Sequence, residues 1–353
     1  MNTCNSNLFD KYSWSFFDRH EGLGAVGMGL ENKNIFITGA TGLFGTWLLS
    51  FIDWCHSKQI SEPQVTALVR RDILKKRNYL TSVIGNIHDF PFPKIKFDRL
   101  INLAAPSARD TYNGMTDLQK LDQLYHGTRN ILNFASQNVD GRSIFTSSGA
   151  IYGGFSALQQ EPITELNRFA PLFSSDQIGL GLGKRIGEFL VADYVRNGTV
   201  DACIARCFSF VGPGLPTNLH YAIGNFISDA VFQKDLIING DGTPVRSFMH
   251  LGDALYWILV ILESGKAGDD YNVGSEEAIS ISNLALMVRD CVNPSIKIDI
   301  KGNNNTSPGN PINHFYVPDV SKAKKTLGLK QSIMLYKAIM EFGDFLRESD
   351  LKL

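Results

Sequence analysis

Residues 34–49 read NIFITGATGLFGTWLL, and this stretch decides the fold. A run of β-branched and aromatic side chains ends at Gly39, and an apolar helical pattern begins at Leu43. Between and into them Gly39, Gly42 and Gly45 stand at GxxGxxG spacing. Glycine there permits a tight turn and a close approach of backbone to a ligand. The following helix turns its unpaired N–H groups toward whatever fills the turn, which suits a pyrophosphate. A glycine trio alone is weak evidence; between a strand and a helix it reads as a dinucleotide site, with Thr41, Leu43 and Phe44 beside the three glycines.

The rest of the chain repeats that alternation. VTALV (65–69), DRLINLAA (98–105), RSIFTSSG (142–149) and ACIARCFSFVG (202–212) read as strands, with helical stretches at 117–136 and 183–198 between them. Alternation of this kind predicts βαβ units, hence an α/β chain built on a Rossmann-type, doubly wound parallel sheet. After Gly212 the pattern weakens into short elements, which predicts a smaller C-terminal α/β lobe for substrate. The expected division is an N-terminal extension at 1–30, a dinucleotide-binding domain at 31–212 with 251–275 returning to it, and the lobe over 213–353. KGNNNTSPGNPINH (301–314) is polar and turn-rich, hence a surface loop.

Composition narrows the partners. The 353 residues carry 34 Lys plus Arg against 35 Asp plus Glu, a net charge of −1, which gives no case for nucleic acid or an anionic membrane. The five cysteines (Cys4, Cys55, Cys203, Cys207, Cys291) are scattered without CxxC, so a reducing cytoplasm is expected rather than a disulfide framework or a zinc site. His126, His250 and His314 have no partners at ligand spacing, and no metal is expected. The first twenty residues contain charges and no long apolar run, so neither signal peptide nor anchor is read there. Trp14, Phe16 and Phe17 suit an amphipathic arm packed on the body.

A Rossmann fold usually ends its second strand on an acidic residue that holds a ribose hydroxyl. Here VTALV runs into Arg70 and Arg71, which suit either an NADP 2′-phosphate or stacking on adenine, or else a solvated pair. Asn86, after the next strand, is placed for an adenine contact. The cofactor expected is NAD, with NADP left open.

GATGLFG, NLAAPS, HGTRN, TSSGAIYG, a GKR helix, ARCFSFVGP and GDGTPVRSFMHLGDA occur here in one order. That ordered set resembles the extended short-chain dehydrogenases/reductases, in particular the NAD-dependent epimerase/dehydratase family of nucleotide-sugar enzymes, from about Asn34 to Leu329. The resemblance implies a tightly held nicotinamide cofactor that oxidises a sugar hydroxyl, usually at C4, and a nucleotide-diphosphate sugar as partner, in surface-polysaccharide or deoxysugar biosynthesis. It implies that Ser148 bonds the reacting sugar oxygen, that Lys184 holds the nicotinamide ribose, and that Arg246 pairs with the substrate diphosphate. It adds Ile87 and Ala104 to the cofactor contacts, and Ser107, Phe208 and Asn225 to the substrate contacts. It also implies a homodimer through the helices around 117–136 and 184–196.

Two departures stand out. The family's YxxxK motif places a proton-exchanging tyrosine four residues before the lysine, and this chain has Leu180. General acid–base help is worth about 10²–10⁴-fold, so the step is slowed unless another group serves. Tyr152 is the first candidate surrogate acid, with Tyr221, His220 and the more remote Tyr112 behind it. The second departure is Gly149–Ala150 after Ser148, where dehydratases of the family carry Asp-Glu and decarboxylases a glutamate at the second place. A 4-epimerase or keto-sugar reductase therefore fits better than a 4,6-dehydratase or uronate decarboxylase. The alternative is a nucleotide-sugar and dinucleotide-binding protein that has lost turnover. Gly179, Gly181 and Gly183 leave a further choice open, between close packing of the helix start and a frayed helix entry.

Overall fold

The computed structural model describes residues 3–106, 108–153, 161–167, 170–171, 178–219, 221–302 and 315–350. In chain order the first half runs α1 (Thr3–Arg19), α2 (Leu23–Gly29), β1 (Asn34–Thr38), α3 (Leu43–Ser57), β2 (Gln64–Val69), β3 (Leu80–Ile84), β4 (Phe97–Asn102), α4 (Ala108–Tyr112), α5 (Asp117–Asn138) and β5 (Val139–Ser148). A 3-10 turn, Gly149–Tyr152, leads toward α6 (Gly179–Arg196), β6 (Asp201–Cys207) and β7 (Phe210–Val211). The second half holds α7 (Ala222–Val231), β8 (Leu236–Ile238), β9 (Val245–Arg246), β10 (Met249–His250), α8 (Leu251–Ser264), β11 (Asp270–Val273) and β12 (Ile279–Ser280). It closes with α9 (Ile281–Val292), β13 (Ile298–Ile300), β14 (Phe315–Tyr316), α10 (Ser321–Leu327) and α11 (Leu335–Asp350).

Seven strands form one sheet in the order β11-β6-β5-β4-β1-β2-β3, and every pairing is parallel. Strand order therefore reverses at β1, the point where an open α/β sheet leaves a crevice beyond its carboxyl ends. The central strands read as near-continuous apolar runs because helices cover both faces. Ile35, Phe36 and Ile37 of β1 and Ala202 and Cys203 of β6 are fully buried. Cys55, Cys203, Cys207 and Cys291 are free thiols.

Short strands carry the C-terminal part. β9 pairs antiparallel with β12 and parallel with β14, which places Tyr316 in register with Arg246. β8 pairs with β13, and α7, α9 and α11 pack around them.

The N-terminal arm is a helix, α1, that joins the first and last parts of the chain. Phe9, Phe16 and Phe17 are buried, with Phe16 and Phe17 ring-to-ring against Trp47 of α3. Ser13 and Asp10 bond Ser50, Trp14 donates to the Ser50 carbonyl, and Lys11 pairs with Glu348 of α11 at 2.7 Å. Trp14 itself is only partly buried, and its indole N–H does more than its ring. Phe16→Ala is expected to lower the free energy of urea unfolding by about 3 kcal/mol, whereas a loss under about 1 kcal/mol would mean that the arm is peripheral.

Candidate functional site

The turn after β1 is shaped by two glycines for different reasons. Gly39 has φ +72°, and a Cβ there would lie 2.8 Å from the Ala104 nitrogen, so the turn presses against the end of β4. A Cβ on Gly45 would lie 2.6 Å from the Ala40 Cα, so only glycine lets α3 sit this close to the strand it leaves. Gly42 caps α3, and its N–H is bound to the Gly39 carbonyl at 2.9 Å. An α-helix leaves its first N–H groups without intrahelical partners, so the start of α3 after Gly42 offers unpaired donors beside the turn.

A cleft of about 290 Å³ opens there. It gathers Gly39, Thr41, Gly42, Arg70, Asn86, Ile87 and Ala104, the greater part of the expected cofactor set. Leu43, Phe44 and Gly45 belong to the helix behind the turn and are not among its lining residues. Phe44 packs edge-on to Phe210. Arg70 and Arg71 are both exposed at the end of β2, and Arg70 reaches the rim of the cleft. Asn102 and Asn130 were not singled out from the sequence. Thr38 donates to the Asn102 amide oxygen and its own oxygen accepts from the Ala104 N–H at 3.2 Å, which ties the ends of β1 and β4 together. Asn130, inside the HGTRN segment, donates to the Ile87 carbonyl at 2.9 Å and so positions the loop that forms the far wall. Gly127 and Asn130 stand three apart on one face of α5, and that spacing was the available signal.

At the carboxyl end of β5, Ser148 caps the 3-10 turn and accepts from the Ala150 N–H at 3.2 Å. The residue is partly buried, and a hydroxyl that accepts from Ala150 can still donate to a ligand. Lys184 reaches the same strand end and donates to the Thr146 carbonyl at 2.6 Å. Burial lowers its amine to about 8, partly opposed by the nearby Cys207 and Glu188. Burial likewise pushes the Cys207 thiol up to about 12, so it stays protonated beside Lys184.

The three glycines of α6 are packing residues. A Cβ on Gly179 would meet the Asp117 Cα at 2.6 Å, one on Gly181 the Ala150 carbonyl at 2.5 Å, and one on Gly183 the Leu124 Cβ at 2.9 Å. The helix entry is pressed onto α5 and the 3-10 turn rather than frayed. That contact fixes which way Lys184 points.

Tyr152 does not fit the part of surrogate acid. It is 1% exposed, its hydroxyl donates to the Asn272 amide oxygen at 2.9 Å and accepts from Arg206 at 2.9 Å, and so it has no proton to offer a ligand. Tyr112 is 65% exposed on α4, and Tyr221 precedes α7 at 39% exposure. Ser107, His220 and His314 lie outside the described residues.

Arg246 is partly buried and donates to the carbonyl of its own neighbour Val245 at 2.8 Å. No carboxylate pairs with it among the described residues. Burial lowers its guanidinium from the usual value, as expected for a cation without an anion. Asn225 donates to the Leu219 carbonyl at 2.8 Å, while its buried amide oxygen has no partner among the described residues. Phe208 is buried and lies 4.8 Å from the Tyr316 ring. Among the described residues no group of three or more His, Cys, Asp or Glu is placed to hold a metal, and no helix is long and apolar enough to cross a membrane.

A parallel sheet in this order with a glycine turn at its switch point defines a dinucleotide-binding α/β chain. The chain belongs to the NAD dependent epimerase/dehydratase family, whose pattern it matches over residues 35–274. It is 25% identical to UDP-glucuronic acid decarboxylase 1 of Arabidopsis thaliana over 325 residues, 89% of this chain and 70% of that protein. It is 27% identical to UDP-glucuronic acid decarboxylase 3 of the same plant, covering 87% of each. The fold is similar to UDP-glucose 4-epimerase of Thermotoga maritima, with a TM-score of 0.74 at 18% identity over 90% of this chain and 99% of that one. It is similar also to UDP-N-acetylglucosamine 4-epimerase of Methanobrevibacter ruminantium, with a TM-score of 0.75 at 20% identity and the same coverage. The family's NAD fits the turn, because the space a Cβ on Gly39 would fill is left to backbone and the helix N–H groups are free.

Gly39→Ala forces a strained φ and a backbone clash, so titration of the variant with NAD, followed by tryptophan fluorescence, is expected to show no saturable binding. Wild-type affinity in that variant would refute the assignment of the turn.

Proposed function

We propose that the chain is an NAD-dependent enzyme acting on a UDP-linked sugar by moving hydride at one sugar carbon, C4, as a 4-epimerase or keto-sugar reductase. The observation that carries this reading is Arg246, a half-buried cation without a carboxylate partner among the described residues, in the lobe that meets the sheet end bearing Ser148 and Lys184. A guanidinium fork suits a diphosphate, and the open amide oxygen of Asn225 suits a donor group of the same ligand. The names of the relatives, uridine diphosphate sugar enzymes in the main, support uridine as the base.

NAD, when bound, supplies the acceptor and donor of the hydride. The residues of the chain do the rest. The turn at Gly39, Gly42 and Gly45 holds the pyrophosphate, with Thr41, Leu43 and Phe44 at the start of α3. Asn86 and Ile87 line the adenine end with Arg70, and Ala104 backs the dinucleotide. Lys184 holds the nicotinamide ribose, and Ser148 turns the sugar hydroxyl toward the ring. Phe208 is a wall of the sugar pocket, and Ser107 completes the expected substrate set.

Gly149 and Ala150 favour hydride transfer without elimination or decarboxylation. No carboxylate stands at either position, although the decarboxylases are among the chain's relatives. Leu180 supports the other reading, a protein that binds both ligands without turnover. UDP-glucose, UDP-N-acetylglucosamine and UDP-glucuronate should each be tested for thermal stabilisation, nicotinamide absorbance and product. A ligand at about 100 times its Kd adds roughly 2.7 kcal/mol, which a melting curve resolves. The expected result is a C4 epimer or a reduced sugar with the carboxylate of a uronate retained. Release of carbon dioxide would overturn the reading, and stabilisation without chemistry would establish the binding protein.

Lys184 gives a pH signature. Its amine is charged below about 8 and neutral above, so its hold on the cofactor is present at pH 7 and lost as pH rises through 8. NAD affinity is expected to fall above that pH by at most about tenfold per unit, and the Lys184→Met variant should bind more weakly with no such dependence. Equal pH dependence in both would contradict the role.

The chain is also proposed to dimerise through α5 and α6. The two helices pack on each other and leave Leu118 and Phe189 outward, 66% and 63% exposed. Phe189→Glu should shift the sedimentation coefficient to that of a monomer, and an unchanged value would place the seam elsewhere.

A further inference from the structure

We propose that Tyr316 is a further catalytic residue: its hydroxyl, beside Ser148, replaces the one the chain lacks at position 180, giving its proton to the keto oxygen as hydride from the nicotinamide reaches the sugar carbon and, as phenolate, taking that proton back when the hydroxyl is oxidised. The inference rests on the reading of this site as one that oxidises or reduces a sugar carbon.

Leu180 is held in place by α6, because Gly179 and Gly181 on either side of it are jammed against Asp117 and Ala150. A proton-bearing group must then come from another element. Tyr152 is engaged with Asn272 and Arg206, Tyr112 is 65% exposed on α4, and Tyr221 stands at the start of α7 rather than at the end of β5. Tyr316 differs from all three. It arrives on β14, a strand of the C-terminal lobe, in register with Arg246 of β9. Its ring is packed by Phe208 at 4.8 Å, which fixes the direction of the phenol. The phenol end lies against Gly149, whose missing side chain makes the room: a Cβ there would stand 2.8 Å from the Tyr316 Cζ and closer still to the hydroxyl. Gly149 directly follows Ser148, so the phenol stands next to the end of β5. Ser148 and Tyr316 are thus neighbours at the carboxyl end of β5, and both residues are partly buried.

Electrostatics suit a donor. Burial raises the Tyr316 phenol above its ordinary value and keeps it protonated, while the Arg246 guanidinium, 6.0 Å from the ring centre, favours charge build-up on the oxygen it serves. A neutral phenol held by packing stabilises a developing oxyanion with little reorganisation. The two departures of the sequence then have one explanation. Gly149 lacks a side chain because the phenol occupies its place, and position 180 lacks a hydroxyl because the phenol provides one.

The test uses the full chain with NAD and the UDP-sugar that the wild type turns over. Tyr316→Phe is expected to lower kcat by about 10²-fold while KM stays within about threefold, the pattern of an interaction made in the transition state. Thermal stabilisation by NAD and by UDP should be unchanged, and adding Leu180→Tyr to Tyr316→Phe should recover at least about tenfold. Gly149→Ala reaches the same group by another route, since its methyl displaces the phenol; the loss should match, and the double variant should lose little more. Wild-type kcat in both Tyr316→Phe and Gly149→Ala, or a loss confined to KM, would overturn the proposal. A wild-type chain that binds neither NAD nor any UDP-sugar would instead overturn the functional reading beneath it.

Discussion

The contact on which the molecule depends is between two backbones: the turn at Gly39 against the end of β4. With no Cβ at 39, the chain passes the Ala104 nitrogen at a distance no other residue permits, and with none at 45, α3 lies directly on its own strand. Thr38, Asn102 and the Ala104 N–H then lock the two strand ends together. The result is a crevice at the reversal of strand order, beside the helix start where α3 leaves its first N–H groups without intrahelical partners. The core around it, from Trp47 to Phe16 and Phe17 of the N-terminal helix, keeps that geometry rigid by burying large rings on the outer side of α3.

A second close contact sets the chemistry. The glycine face of α6 meets α5 and the turn after β5, so Lys184 is driven inward until it bonds the Thr146 carbonyl. The cost of this burial is a weakened ammonium, which makes the residue responsive near pH 8. Four residues earlier, the same packing leaves Leu180 with nothing to give. The C-terminal part of the chain answers from the other side, where three paired short strands carry Arg246 and Tyr316, and the Tyr316 phenol reaches Gly149 at the end of β5.

Much of this was legible in the order of residues. The strand–glycine–helix signal at 34–49 and the alternating apolar runs were enough for a parallel, doubly wound sheet, because buried strands and glycine turns are local features. The family resemblance was equally legible, since it lay in the order of short motifs. Residues brought together by tertiary pairing were less so. Tyr316 follows a stretch of polar sequence and sits on a two-residue strand, and no periodicity announces that such a strand ends beside Ser148. Tyr152 looked available because it is only four residues from Ser148, yet the 3-10 turn rotates it into the network of Arg206 and Asn272. The three glycines of α6 could not be interpreted until their neighbours on α5 were known.

The central claim is that one crevice brings a dinucleotide to the hydroxyl and ammonium groups at the end of β5. A crystal structure of the full chain with NAD and UDP bound tests it most directly. The account predicts the pyrophosphate on the N–H groups of α3 and the nicotinamide ring in van der Waals reach of Ser148 and Lys184, with UDP phosphates on Arg246. A dinucleotide bound elsewhere, or a nicotinamide ring turned away from Ser148 with Lys184 unengaged, would contradict it.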